Sequence, residues 1–97
     1  MAGKNKRFPA GKVLFRQGDK ASSMYLIRKG KLTVYLEQDK KDLVLAHLEP
    51  GSIVGEMAFF DDKPRSASVK TAEVTDVTEI GKGDFDKLLT QVPKWMV

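Results

Sequence analysis

Short apolar runs separated by turn residues constrain this chain more than any other feature. Pro9 and Gly11, Gly18, Gly30, and Pro50 with Gly51 mark off the runs. Between them lie Lys12 to Phe15, Ser23 to Lys29, Lys31 to Glu37 and Leu43 to Leu48; Ser66 to Thr71 and Asp76 to Gly81 follow later. Several of these runs alternate with a period of two, the pattern of a β-strand. In Lys31–Glu37, Leu32, Val34 and Leu36 are expected inward, against Lys31, Thr33, Tyr35 and Glu37. In Ser23–Lys29, Met24 and Leu26 face one way and Tyr25 and Ile27 the other, which predicts a strand covered on both faces. Gln38 to Asp42 reads as a polar hairpin loop. Strands at this spacing predict a mainly β chain, an antiparallel β jelly roll spanning about residues 8–82. The interior of such a barrel can hold one small ligand.

The period changes near the C-terminus. Phe85, Leu88, Leu89 and Val92 fall at helical spacing, so a helix is expected over about 84–92, with Asp84 as N-cap and Pro93 as its end. Residues 1–7 read as a flexible basic lead-in carrying Lys4, Lys6 and Arg7. With 97 residues the chain is one domain, 1–97, and 41% apolar residues support a small core. No apolar run approaches the length of a membrane span. The absence of cysteine excludes disulfides and cysteine–metal sites, and agrees with a cytoplasmic setting. The net charge of +4 comes with no helix-turn-helix and no basic strand interleaved with aromatics, so direct nucleic-acid binding is not expected.

The chemistry concentrates in Val54 to Ala67. Gly55 leaves an apolar pair, Ile53 and Val54, at a point where a residue without Cβ lets backbone approach a ligand. Glu56 to Phe60 is good for about one helical turn, stopped by Asp61, Asp62, Lys63 and Pro64. Arg65 then leads into a strand. A glycine, an acid, one helical turn and an arginine thus lie within eleven residues. Free N–H groups at a helix start favour an anion. A returning arginine adds a fork that fits phosphate, and the acid can accept hydrogen bonds from a sugar hydroxyl. The combination predicts a small ligand with one phosphate and a ribose.

These residues resemble the phosphate-binding cassette of cyclic nucleotide-binding domains, the family of catabolite activator proteins, kinase regulatory subunits and cyclic-nucleotide-gated channels. Gly55, Glu56, Met57, Ala58, Pro64, Arg65, Ser66 and Ala67 fit its pattern; Val54 stands where the family often has Phe. The resemblance runs from about Gly11 to Pro93. It implies a regulatory sensor that binds cAMP or cGMP and relays this to a fused or partner effector, with no catalytic residue, no metal and no cofactor. It assigns phosphate to Arg65, the ribose 2′-hydroxyl to Glu56, and a place near phosphate and base to Ser66. Threonine at that place often accompanies cGMP in the family; serine leaves both nucleotides open, and cAMP is the favoured reading. It also makes Val34 and Leu45 candidates for an apolar wall against the base, where periodicity says only that they face inward. Family members usually continue past this point into a helix over the base, so a lid beyond Val97 is expected, with Trp95, Met96 and Val97 as its start or as a patch that it covers.

Two other readings use the same fold. One is a degenerate member acting as a protein-interaction module, which the intact Glu56 and Arg65 oppose. The other is a cupin-type metal enzyme, which needs several clustered ligands where this chain has a single histidine, His47. Asp61 and Asp62 read as a solvated, helix-ending pair, and Phe59 and Phe60 as core packing.

Overall fold

The computed structural model describes residues 3–84. Eight strands and one helix follow in the order β1 (Lys4–Phe8), β2 (Val13–Phe15), β3 (Ser23–Lys29), β4 (Leu32–Gln38), β5 (Lys41–Leu48), β6 (Ile53–Val54), α1 (Glu56–Asp61), β7 (Ser68–Thr71) and β8 (Thr75–Gly81). They form two four-stranded antiparallel sheets, β1-β8-β3-β6 and β2-β7-β4-β5, the two layers of a jelly roll. The core lies between them, where Tyr25, Ile27 and Val77 of one sheet meet Leu32 and Val69 of the other. Met24, on the opposite face of β3 from Tyr25, is buried as well, so β3 is covered on both faces as its sequence predicts.

Residues 4–8 depart from expectation. They are a strand, not a flexible lead-in. β1 pairs with β8, and its charges meet acids there: Lys6 Nζ lies 2.6 Å from Glu79 Oε1 and Arg7 Nε 2.7 Å from Asp76 Oδ1. Polar sequence hid this strand, because its stabilisation comes from cross-strand ion pairs and a backbone ladder rather than from an apolar face.

β4 is the second surprise. Thr33 and Tyr35 face away from the core, yet both are buried, Tyr35 to 3% exposure. β4 lies between β7 and β5, and side chains from those neighbours cover its outer face. Lys70 Nζ sits 4.6 Å from the Tyr35 ring centre, and His47 Nδ1 lies 3.2 Å from the Thr33 hydroxyl. The loop after β4 is also tighter than expected. Asp39 and Lys40 alone turn the chain, with Asp39 at φ 49°.

Leu45, expected to face inward, is 52% exposed. β5 is an end strand paired only with β4, and the register slips between Val34 and Tyr35. Leu45 falls in that slip, between Ala46 opposite Val34 and Val44 opposite Tyr35. A bulge of this kind breaks the in-out alternation that placed Leu45 inward.

Residues 82–84 are helical, so Asp84, expected as an N-cap, is not one. Instead Asp84 Oδ2 accepts from the Gly81 N–H at 3.1 Å, reaching back one turn as in a capping box. Residues 85–92 of the expected helix and the expected lid lie outside the described residues. Within the described residues, no helix is long and apolar enough to cross a membrane.

Candidate functional site

β6 gives way to Gly55, whose φ of 81° is left-handed and which caps the start of α1. The position excludes a side chain twice over. A Cβ there would adopt a strained φ and would lie 2.3 Å from Arg65 Nη1. α1 runs for six residues and closes on Asp62, itself left-handed at φ 54°. Lys63 donates to the Ala58 carbonyl at 3.0 Å. Only Phe59 of the aromatic pair is buried, and Phe60 is half exposed, with the rings edge-on at 5.5 Å.

The returning chain is then zipped to the turn after β2. Lys20 bridges Pro64, the Arg65 N–H donates to Asp19 O at 2.8 Å, and the Gly18 N–H donates to Arg65 O at 2.8 Å. That turn is held by Asp19, whose carboxylate accepts from the Arg16 N–H at 2.9 Å. The glycine and aspartate that look like ordinary turn residues in the sequence therefore fix the backbone of Arg65.

The Arg65 side chain is 4% exposed. Nη1 donates to Gly55 O at 2.8 Å and Nη2 donates to Ser23 O. Its Nε is buried without a hydrogen-bond partner among the described residues. The guanidinium lies over the Phe15 ring, 4.0 Å from its centre. Burial pushes its pKa down, while Tyr25 and Asp19 push it back up. No carboxylate pairs with it among the described residues.

This arginine lines a cavity of about 190 Å³. Gly55, Glu56, Met57, Ala58, Ser66, Ala67 and Val34 line it too, so the fold gathers these eight candidate residues around one space. Met57 reaches it while remaining 68% exposed. Leu45 is not among the lining residues. Phe15, Val54 and Val69 are, and only their inward periodicity could have suggested them.

Behind the cavity, Ser23 links to a second polar group. Its hydroxyl donates to Glu79 Oε2 at 3.3 Å, beside the Tyr25 hydroxyl at 3.0 Å and opposite Lys6. Burial alone would raise the Glu79 carboxyl, but the Lys6, Tyr25 and Ser23 donors outweigh it and hold the pKa below the usual carboxylate value. Burial raises the Tyr25 phenol.

A family model described as a cyclic nucleotide-binding domain matches residues 5–92. The cAMP-dependent protein kinase regulatory subunit of Emericella nidulans is 32% identical over 90 residues, covering 93% of this chain and 21% of that protein. The cyclic AMP receptor protein of Thermus thermophilus is 33% identical over 87 residues, covering 89% of this chain and 40% of that one. This chain therefore spans well under half the length of either relative. Among solved structures, an EAL enzyme in a halfsite-occupied form superposes with a TM-score of 0.89 at 31% identity, over 96% of this chain and 84% of that chain. Its cAMP-bound and cGMP-bound forms give TM-scores of 0.80 and 0.81.

Proposed function

The chain belongs to the cyclic nucleotide-binding domain family, and we propose that it binds a cyclic mononucleotide, cAMP in preference to cGMP, in the cavity that Arg65 lines. One observation carries the reading. Arg65 is a buried cation at a cavity wall, with its Nε unpaired and no ion-pair partner among the described residues. An uncompensated buried charge is costly, typically several kcal/mol. An anion of phosphate size entering the cavity supplies the missing charge and accepts from the guanidinium. The first-turn amides of α1 have no acceptor within the helix and border the same space. Glu56, at the start of α1, accepts from the ribose 2′-hydroxyl. Val34 and Ala67 offer apolar surface to the base.

In this reading the chain is a regulatory sensor rather than an enzyme, and no residue is assigned to catalysis. Arg65 now donates to Gly55 O and Ser23 O, so a bound phosphate competes for a guanidinium that ties α1 to β3. Ligand capture would loosen or re-aim that tie and pass the change to a fused or partner effector. The neighbouring enzyme solved with each nucleotide supports a site that accepts both bases.

Calorimetric titration of the chain with cAMP and with cGMP tests the proposal, alongside Arg65→Ala. Removing one partner of a desolvated charge pair typically costs about 2–5 kcal/mol, so Arg65→Ala should weaken binding by roughly 30-fold to several thousand-fold. A folded Arg65→Ala variant that binds like the parent removes Arg65 from the site. Absence of binding by the parent leaves the interaction-module reading in its place.

A further inference from the structure

The way Arg65 is held differs from the usual treatment of a buried cation. Its fork is tied to two neutral carbonyls, and its central carbon lies over an aromatic ring. That ring, Phe15, stands at the end of β2 and stacks in turn on Tyr25 of β3, 6.1 Å between centres and 25° between planes. Guanidinium, phenyl and phenol are thus linked in series, supplied by three separate segments of chain. Gly55 borders the same edge, where a Cβ would lie 2.3 Å from Arg65 Nη1.

A carboxylate under the guanidinium would also hold it in place. It would cancel the charge as well, and would repel a phosphate. The face of a benzene ring attracts a cation through its quadrupole and adds no net charge. Two carbonyls and a ring therefore fix the guanidinium with no carboxylate in contact with it among the described residues, leaving its charge to act on the cavity.

We propose that Phe15 is a positioning residue for Arg65, holding the guanidinium in place by a cation–π contact that keeps its charge available to an anion. The anion-binding half of this statement rests on the function proposed above; the contact itself does not.

Ring fluorination at position 15 tests it. Fluorine withdraws electron density from the ring face while keeping its shape and apolar character. The chain is prepared with 4-fluoro- and 3,4,5-trifluorophenylalanine at residue 15 alone. Two quantities are measured: the thermal midpoint of the ligand-free chain and its cAMP affinity. Both should fall stepwise with fluorine count. The trifluoro chain should lose about 2–6 °C in midpoint and about 3- to 30-fold in affinity. Phe15→Tyr, which keeps the ring, should stay near the parent in affinity. In an Arg65→Ala background, fluorination should leave the midpoint unchanged, because the cation is gone. A role in packing alone predicts the opposite pattern, with no dependence on fluorine count. A trifluoro chain with parental midpoint and affinity overturns the proposal. If the parent binds no cyclic nucleotide, the functional reading fails on that result alone, and the midpoint series still decides whether Phe15 holds Arg65.

Discussion

Arg65 Nη1 donates to the Gly55 carbonyl at 2.8 Å, and the same nitrogen occupies the space a Cβ on residue 55 would need. One residue thus serves the arginine both by offering its oxygen and by lacking a side chain. The bond closes a loop of ten residues, with α1 inside it, and so sets the distance between the start of the helix and the guanidinium.

Gly55→Ala should therefore be severe. The left-handed φ of 81° costs about 1–3 kcal/mol for a residue with Cβ. The contact with Nη1 adds to it by pushing the arginine off Phe15. The expected result is a lower thermal midpoint, by roughly 5 °C or more, together with loss of nucleotide binding in calorimetry. A variant with parental midpoint and affinity would show that the guanidinium can move at no cost.

The ribose assignment makes a separate demand. Glu56 lines the cavity at the first position of α1. If it accepts from the 2′-hydroxyl, a 2′-deoxy cyclic nucleotide leaves that carboxylate unpaired, a penalty of about 1–3 kcal/mol. The deoxy ligand should then bind roughly 5- to 150-fold more weakly than the ribose form. Glu56→Gln should narrow the gap. Equal affinities of the parent for both sugars would remove Glu56 from the ribose.

Acid should act on the second polar group. The Glu79 pKa is held below its ordinary value in the folded chain by Lys6, Tyr25 and Ser23, which outweigh burial. The stability it contributes is present above its unfolded pKa and is lost as pH falls through the folded value. Asp76 and Asp62 are lowered in the same sense by Arg7 and Lys82. Glu79→Gln should lower the thermal midpoint near pH 7 and shrink the further drop between about pH 5 and pH 3. Part of the drop should survive, because Asp76 and Asp62 remain. An unchanged acid profile in Glu79→Gln would mean that the Lys6 and Tyr25 contacts contribute nothing to folding.

Legibility in the sequence divides along physical lines. The cassette could be read because its requirements are local: Gly55 for a left-handed turn, Pro64 after a stop, and Arg65 at a short fixed offset. The strands β3, β7 and β8 could be read because a buried face imposes alternation. β1 was hidden because Lys4, Asn5, Lys6 and Arg7 are stabilised by partners some seventy residues away, such as Asp76 for Arg7. Phe15 was hidden for a related reason. Its role depends on Arg65 crossing from another segment, and a period of two says only which way it points. The exposure of Leu45 was not legible because a bulge in pairing leaves no mark in the alternation of one strand.

That last difference gives the sharpest contrast between sequence pattern and structure. Val34 and Leu45 look equivalent as apolar strand residues, and family resemblance offers both as walls for the base. Here Val34 lines the cavity and packs against the core, while Leu45 sits in the β5 bulge, half exposed and off the cavity wall. Trimming an apolar wall by a methyl group or two costs about 1–3 kcal/mol when the contact is fully enclosed. The Val34 cavity is open on one side, so Val34→Ala should weaken cAMP binding by roughly 3- to 30-fold. Leu45→Ser should change affinity by less than about twofold, and should leave the thermal midpoint near the parent as an exposed substitution does. Paired titrations of the two variants with cAMP decide the matter. If Leu45→Ser costs as much affinity as Val34→Ala, the strand turns inward when nucleotide binds, and β5 belongs to the site after all.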